Sequence, residues 1–371
     1  MKVLKCLLSW PVTVALIVTA SLMLAAEGTW SLELFHHWTF VAIVLLALPV
    51  LLFAALSNLK KKSYCPLISH LGLFLVLTGG LISAPFRIET QMRVFQGELP
   101  EHLAFYASHT VVPLPFDIAL EEFETDYYED GCSPKQFTST LRIDGKTLQT
   151  SVNHPCTYKG YRIYQCGYDA LDGRYSDLKI VRDPWLPAVA LGALLLAIAA
   201  VLSLKKAWHS WKVLPAAVVL AAVFTVISVA RIEFGTLPPA LRSLWFAPHL
   251  IIYMLAYSLM ALSVISGVGS LFFKKIPEQL SQKLLSTSSA LLLAGMLCGA
   301  VWAQQAWGNY WTWDAKECWA AVTWLLTLAA QHIPGNKNKL IFTVLAFVAI
   351  QITWYGVNYL PAASGSLHTY N

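Results

Sequence analysis

The sequence predicts a polytopic α-helical membrane protein with about nine transmembrane helices and one β-rich external domain between helices 3 and 4. Three observations lead to this fold class. The 371-residue chain is 57% hydrophobic and only 13% charged, whereas soluble domains carry about 25% charged residues. Apolar runs long enough to span a bilayer, about 20 residues each, recur along the chain. One stretch, residues 86–184, has the mixed composition of a soluble domain.

The apolar runs are separated by short polar segments, and none shows an internal repeat. The predicted spans are residues 8–26, 38–57, 66–85, 185–204, 213–230, 248–271, 286–306, 318–333 and 339–357. The first run has the position of a secretory signal peptide. Its length of about 20 apolar residues and the lack of a small-x-small cleavage site favour a membrane anchor instead.

Basic clusters follow every second span and predict the orientation of the chain. They are Lys60 to Lys62, Lys205 to Lys212, Lys274 to Lys275 and Lys337 to Lys339. Because cytoplasmic loops are enriched in Lys and Arg, these loops and the N-terminus are expected in the cytoplasm. The net charge of +5 reflects these clusters and does not indicate nucleic-acid binding.

The external stretch, residues 86–184, is predicted to be rich in β-strands. Alternating segments such as "FTSTLRI" and "YRIYQC" are typical of strands, and Asp144-Gly145 and Lys159-Gly160 are turn signals. The stretch also contains three of the seven cysteines, at positions 132, 156 and 166. An outward-facing domain can hold a disulfide, but three cysteines leave one over and the sequence does not identify the pair.

Four histidines stand out because ionisable groups near membrane spans are costly and are often functional. His70 and His332 are predicted near the cytoplasmic ends of two spans, so they can meet. His249 opens a span at the outer face, and His368 follows in the outer tail. A pair of facing imidazoles suits a six-coordinate haem iron; the alternative is an interfacial histidine without a ligand. The other six are interpreted as interfacial or surface residues: His36, His37, His102, His109, His154 and His209.

A tryptophan-rich segment, "WGNYWTWDAKECWAAVTW", lies between two apolar runs. Trp307, Trp311 and Trp313 fall within seven residues and Asp314 follows directly. Single indoles are common at membrane interfaces, but this density also suits a flat macrocycle that needs broad aromatic contact. Asp314 is further predicted to cap the next helix, with Glu317 three residues on completing a capping box.

Other site chemistries have weaker support. Structural zinc requires closely spaced Cys and His, whereas here they are scattered. There is no GxSxG, Walker or GxGxxG motif. Transport of a small ion is disfavoured by the few acidic residues in the spans. A membrane scaffold with interfacial tryptophans and no cofactor is the remaining alternative.

The segment "WGNYWTWDAKECWAAVTWL" resembles the WWD signature of haem-handling membrane proteins. Together with a histidine opening the preceding span, "QH" ending the next span and "YGVNYL…SLHTY" near the end, it resembles the CcsA (ResC) family of System II cytochrome c biogenesis. The first half is similar to the partner family CcsB (ResB), through "SHLGLFLVLTGGLISAPF", "PFDIALEEFETDYYEDGCSPKQFTSTLRI" and "SVNHPCTYKGYRIYQCGYD". Together the two resemblances cover nearly the whole chain, as in a natural CcsB–CcsA fusion.

The resemblance implies residue roles. His249 and His368 would be axial ligands of haem at the external face, and His70 and His332 would hold haem within the bilayer on its way out. The remaining residues would form the haem platform: Trp307, Gly308, Trp311, Trp313 and Asp314.

The resemblance also implies an activity: a cytochrome c haem lyase that exports haem b and joins its vinyl groups to the thiols of a CxxCH motif in apocytochrome c. Thiol-reductant proteins would be partners. The location would be the cytoplasmic (inner) membrane, with the WWD segment and C-terminus periplasmic.

The implied organisation has four parts. Residues 1–85 would be CcsB-like transmembrane helices, 86–184 the external domain, 185–212 the last CcsB-like helix with a cytoplasmic linker, and 213–371 the CcsA-like WWD domain. The chain is shorter than such fusions are expected to be. The alternative is therefore a haem transporter or chaperone without its own attachment activity, or a subunit that needs a separate synthase.

Overall fold

The structure is a computed structural model that describes residues 9–169, 172–207, 214–229, 236–273 and 276–365. The helices, numbered α1 to α9 in chain order, are Trp10–Trp30, Trp38–Lys60, Tyr64–Ser83, Leu186–Ala207, Leu214–Val229, Phe246–Phe272, Glu278–Trp307, Ala315–His332 and Asn336–Trp354. The strands β1 to β8 are Ile88–Phe95, Glu101–Phe105, Val111–Tyr127, Pro134–Ile143, Lys146–Ser151, Cys156–Tyr158, Tyr161–Tyr168 and Tyr175–Arg182.

The helices and the β domain confirm the predicted class of polytopic membrane protein. Within the described ranges, seven helices are long and apolar enough to cross a membrane. The other two are α5, whose apolar run Pro215–Ile227 is shorter, and α8. Helix α8 is less apolar because it begins with Lys316 and Glu317 and ends with Gln331 and His332.

Helix α7 starts at Glu278, before the predicted span at 286. In its first two turns, "EQLSQKLL", Leu284 and Leu285 are buried and Leu280 packs beside them, while the other five positions are polar. Such a segment is amphipathic, so its average hydropathy is low although it forms regular helix. A search for apolar runs therefore misses it.

Small residues bring neighbouring helices close together. At Gly28 in α1, an added Cβ would lie 2.8 Å from the Cβ of Cys318 in α8. At Gly72 in α3, it would lie 2.9 Å from the Gly192 carbonyl oxygen in α4. Close backbone approach at small residues is a common basis of packing between membrane helices. Helix α1 therefore packs directly against the helix that follows the WWD segment.

The β domain is one eight-stranded antiparallel sheet in the order β5-β4-β3-β2-β1-β8-β7-β6. The sheet curls so that β5 meets β7, where the Thr150 hydroxyl donates to the Ile163 carbonyl at 2.8 Å. Across the same gap, the Ser139 hydroxyl donates to Gln165 at 2.5 Å. The curl encloses an apolar core of side chains from six of the strands. The predicted turns at 144–145 and 159–160 both have positive φ and connect adjacent antiparallel strands.

The β domain rests on one end of the helix bundle, which we call the domain end. Tyr128 donates to the Leu237 carbonyl at 3.0 Å, and Asn153 donates to the Pro239 carbonyl at 2.8 Å, just before α6 begins. Arg87 contacts the loop between α7 and α8. Helix α8 then runs for 18 residues, about 27 Å at 1.5 Å per residue, to the opposite, distal end. This length is comparable to a hydrocarbon core of about 30 Å.

The cysteines of the described residues are free thiols: Cys65, Cys132, Cys156, Cys166, Cys298 and Cys318. In the β domain, Cys132 is exposed, whereas Cys156 packs against the core. Burial raises the pKa of the Cys156 thiol to about 11. The two thiols therefore differ strongly in expected reactivity, because the thiolate is the reactive form.

Candidate functional site

The WWD loop, defined here as residues 307–314, begins where α7 ends. Gly308 adopts φ +81° and its N–H bonds back to the Gln304 carbonyl at 3.2 Å, which terminates the helix. A Cβ at Gly308 would lie 3.1 Å from the ring of Tyr164 in β7. Both the positive φ and the nearby ring favour glycine at this position.

The second half of the loop is held by two carboxylates. Asp314 caps α8 by accepting the Glu317 N–H at 2.8 Å, which confirms the predicted cap. Glu317 in turn accepts the backbone N–H of Thr312 at 2.6 Å and of Trp313 at 2.8 Å. Trp313 has φ +62°, which is unusual for a bulky residue and costs about 1–3 kcal/mol. The hydrogen bonds to Glu317 stabilise this backbone shape.

Two of the loop indoles pack against residues from the first half of the chain. Trp313 stacks on Phe35 with ring centroids 6.0 Å apart and meets Phe40 edge-on at 5.2 Å. Trp311 contacts Trp313 edge-on at 5.9 Å. The segment between α1 and α2 and the start of α2 therefore support the WWD loop from one side.

The third indole, Trp307, connects the loop to His249 through Trp302. Trp302 is 2% exposed, and its indole N–H donates to the Ala240 carbonyl at 2.9 Å. Its ring centroid lies 5.3 Å from that of Trp307 and 5.8 Å from that of His249. Trp302 was not among the predicted site residues. Its position in the last turns of α7, just before the tryptophan-rich segment, was the available signal.

His249 lies in the first turn of α6 and is fixed against α7. Its Nδ1 lies 2.9 Å from the Gly295 carbonyl oxygen. Because a carbonyl can only accept, Nδ1 carries the proton and Nε2 carries the lone pair. A Cβ at Gly299 would lie only 2.6 Å from the imidazole ring. The spacing Gly295-x-x-x-Gly299 thus provides the surface on which His249 lies.

His70 and His332 meet at the distal end of the bundle. Their ring centroids are 6.4 Å apart and the rings are nearly perpendicular. Nδ1 of His70 contacts the Pro66 carbonyl at 2.5 Å, and Nδ1 of His332 contacts the Leu328 carbonyl at 2.8 Å. In both rings this leaves the lone pair on Nε2. With metal–nitrogen distances of about 2 Å, two imidazoles on opposite sides of one metal ion have centroids roughly 6 Å apart, so the spacing suits coordination of one iron.

His368, the predicted partner of His249, lies outside the described residues, as does His209. The last described segment, Pro361–Gly365, contacts α1 and α8. Helix α9 starts at the distal end and returns over 19 residues, about 28 Å. The described chain therefore ends on the same side of the bundle as the WWD loop. The pairing of His249 with His368 stays a prediction.

A polar network from the β domain reaches the WWD loop, and sequence reasoning did not predict it. Arg87 donates to Glu89 at 2.7 Å, to the Gly308 carbonyl at 3.3 Å, and to the side-chain oxygen of Asn309. Lys179 contacts Glu89 at 2.5 Å. Burial alone would raise the pKa of the Glu89 carboxyl, but the neighbouring charges of Lys179 and Arg87 and the hydrogen bond from Asn309 outweigh it and lower the pKa.

One donor in the loop and one in the following helix α8 are compatible with a large ligand that carries acceptor groups. The buried indole N–H groups of Trp311 and Trp319 have no hydrogen-bond partner within the described ranges. A buried donor without a partner costs about 1–3 kcal/mol. A haem molecule combines an apolar macrocycle with carboxylates and an iron that accepts imidazole nitrogen. It therefore matches these indoles and the Nε2 lone pair of His249.

Comparisons with known proteins identify both halves of the chain. Residues 60–174 match the ResB-like family, and residues 185–363 match the family described as Cytochrome C assembly protein. Among curated relatives, "Cytochrome c biogenesis protein CcsA" of Guillardia theta is 28% identical over 201 residues, which covers 41% of this chain and 66% of the relative.

Plant relatives of the same name match a shorter part of the chain. The Lactuca sativa protein is 42% identical over 95 residues, covering 24% of this chain and 29% of the relative. The Spinacia oleracea protein is 39% identical over 113 residues, which covers 28% of this chain and 34% of the relative. The chain thus spans less than two thirds of the length of these relatives. It nevertheless joins a ResB-like domain to a cytochrome c assembly domain of the CcsA type in one polypeptide, which is consistent with a System II ResB–CcsA fusion.

Proposed function

We propose that this protein exports haem b across the cytoplasmic membrane and joins it, at the WWD loop, to the CxxCH motif of apocytochrome c. Haem is the substrate on this proposal. It would be received by His70 and His332 at the distal end and held for reaction between His249 and His368 at the domain end. The distal end would face the cytoplasm and the domain end the periplasm, as the basic clusters predict.

One observation carries the proposal: the linked arrangement of His249, Trp302 and Trp307. The proton on Nδ1 of His249 is directed to a backbone carbonyl, so Nε2 is the ligating nitrogen. The ring also packs against the indole that contacts the first tryptophan of the WWD loop. A ligand of His249 that lies beside this aromatic chain would therefore reach the loop.

The proposed chemistry is the addition of two cysteine thiols to the two haem vinyl groups. Each sulfur forms a bond to a vinyl carbon and the thiol hydrogen goes to the other carbon, so nothing leaves. The thiols must be reduced, which is why thiol-reductant proteins are expected partners. Two imidazole ligands on the iron would occupy both axial positions and keep other ligands away from the ferrous iron that attachment requires.

The division of the chain is proposed as 1–85, 86–184, 185–212 and 213–371. The two family matches leave a gap between residues 174 and 185, at the end of the external domain. This supports a boundary at the start of α4. The count of nine spans remains part of the proposal, with α5 and α8 as the two additional crossings.

The test is co-expression of the full chain with a reporter that contains a CxxCH motif. We expect haem that stays on the reporter after denaturation. Haem on this protein without covalent haem on the reporter would support the transporter or chaperone alternative. A purified protein without a Soret absorption band would contradict both functions.

Single His→Gly variants test the ligands. His249→Gly and His368→Gly are expected to lose the low-spin spectrum of the outer haem, with partial recovery in imidazole. His102→Gly, in the exposed part of the β domain, is the matched control and is expected to keep the wild-type spectrum. An unchanged spectrum in either ligand variant would contradict the assignment of the outer pair.

A further inference from the structure

Glu89 is the centre of an ion-pair network at the edge of the β domain. It lies on β1, and Lys179 lies on the adjacent β8, where Lys179 pairs with Gln91 in register and so is diagonal to Glu89. The Lys179 side chain is only 12% exposed. A nearly buried ammonium group requires a charged partner, and the Glu89 carboxylate at 2.5 Å provides it.

Arg87 extends this network to the WWD loop. Its guanidinium bonds Glu89 on one side and the Gly308 carbonyl and Asn309 amide on the other. The Gly308 carbonyl lies at the C-terminal end of α7, where a positive charge is favourable because of the helix dipole. Asn309 also donates to Glu89 at 3.4 Å. The turn after Trp307 is thereby attached to β1 by both side chain and backbone.

Strand β7 provides a second attachment. The Tyr164 hydroxyl accepts a hydrogen bond from Gln304 in the last turn of α7 at 2.5 Å, and its ring covers Gly308. Arg162 on the same strand hydrogen-bonds Tyr310. The first half of the WWD loop is therefore contacted by β1 and β7, and through Glu89 by Lys179 of β8.

The second half of the loop is also supported by the first half of the chain, through Phe35 and Phe40 against Trp313. Together these contacts approach the loop from two sides. All of them come from the part of the chain that precedes α4.

We propose that the ResB-like half acts as a positioning element for the WWD loop, with Glu89, Arg87 and Tyr164 as positioning residues that set the orientation of Trp307 relative to His249. This inference rests on the proposed function, because it assumes that the WWD loop is the surface that binds haem. It predicts that the platform is correctly formed only when the external domain is attached through Glu89.

The experiment compares Glu89→Gln with Asp177→Asn in the full chain. Glu89→Gln keeps the size of the side chain but removes the charge that binds Lys179 and Arg87. Asp177 is the matched control, because it pairs with Arg93 at 2.7 Å on the same two strands, and no contact of this pair with the WWD loop occurs among the described residues. Glu89→Asp, which keeps the charge, is the conservative variant.

Two measurements are made on each variant. The first is amide hydrogen exchange of residues 307–314 in haem-free protein, which reports the loop without any haem. The second is the yield of covalent haem on the CxxCH reporter per haem bound, together with the spectrum of the bound haem. Misplacement of a reacting group by about 1 Å can lower rates about 100-fold.

In Glu89→Gln, we expect the amide hydrogens of the loop to exchange at least about tenfold faster than in the wild type. The covalent yield per bound haem should also be lower. The melting temperature should stay close to that of Asp177→Asn. Glu89→Asp should recover part of both. Equal loop exchange in Glu89→Gln and Asp177→Asn would overturn the positioning proposal. Faster loop exchange in a protein that binds no haem in any variant would leave the positioning role in place and contradict the proposed function instead.

Discussion

Gly299→Ala tests whether the backbone contact of His249 controls haem binding at the domain end. The added Cβ would lie 2.6 Å from the imidazole ring, whereas ordinary contacts begin at 3.4 Å. The ring must therefore move by about 0.8 Å away from α7. Because the Gly295 carbonyl is on the same helix, this movement stretches the 2.9 Å hydrogen bond beyond the usual limit of about 3.2 Å.

The size of the effect follows from the role of the carbonyl. A group that hydrogen-bonds the second nitrogen of a ligating histidine fixes its tautomer and orientation, and its loss typically weakens metal binding about 10- to 100-fold. That range corresponds to about 1.4–2.8 kcal/mol. Alanine is about 1 kcal/mol more favourable than glycine within a helix. The substitution is therefore expected to weaken haem binding without a comparable loss of folding stability.

The assay is haem titration of detergent-purified protein, followed by the Soret band, in a background that carries His70→Gly and His332→Gly to remove the distal pair. Gly295→Ala is the control one turn earlier in α7. It keeps the carbonyl, and its Cβ would meet the Tyr253 ring at 3.1 Å, which requires a much smaller shift. Equal haem affinity in Gly299→Ala and Gly295→Ala would refute the reasoning.

Three further outcomes follow from single features. Asp314→Ala should cost about 1 kcal/mol of stability through the lost helix cap, measured by thermal unfolding, whereas Asp314→Asn should cost less. Because the folded-state pKa of Glu89 is lowered, its stabilising contribution is present above the ordinary carboxyl range near pH 4 and is lost as the pH falls through the lowered value. The protection of the amides of residues 308–310, relative to their intrinsic exchange rates, should therefore fall in acid in the wild type, while Glu89→Gln shows no such step. At pH 8, alkylation followed by mass spectrometry should modify Cys132 well before Cys156, whose pKa of about 11 leaves about one thiolate in a thousand.

The sequence was informative wherever the signal was local or followed from the direction of the chain. The cap at Asp314 depends on two residues three positions apart, and the β-turns on adjacent pairs. The meeting of His70 and His332 follows from the alternating direction of successive spans. These features require no knowledge of how distant elements pack.

The remaining part of the site depends on contacts between distant segments. Arg87 and Asn309 are 222 positions apart, and nothing in the composition of β1 indicates that it faces the WWD loop. Trp302 becomes a link only because α6 places His249 beside it. In contrast, the spacing Gly295-x-x-x-Gly299 is a recognisable signal for close helix packing, although it does not specify that an imidazole occupies the groove.

The three candidate ligand histidines in the described ranges, His70, His249 and His332, are oriented in the same way but differ in how firmly they are held. Each directs Nδ1 to a backbone carbonyl, so each carries its lone pair on Nε2. His70 and His332 use carbonyls four residues earlier in their own helices, so their separation changes whenever α3 moves relative to α8. His249 uses a carbonyl on a different helix and is enclosed by Gly299 and Trp302. On the proposed function, the distal pair can open to receive and release haem, whereas His249 keeps a fixed orientation during attachment. A covalent crosslink between α3 and α8 should therefore block haem transfer, whereas haem that is already bound at His249 should keep its absorption spectrum.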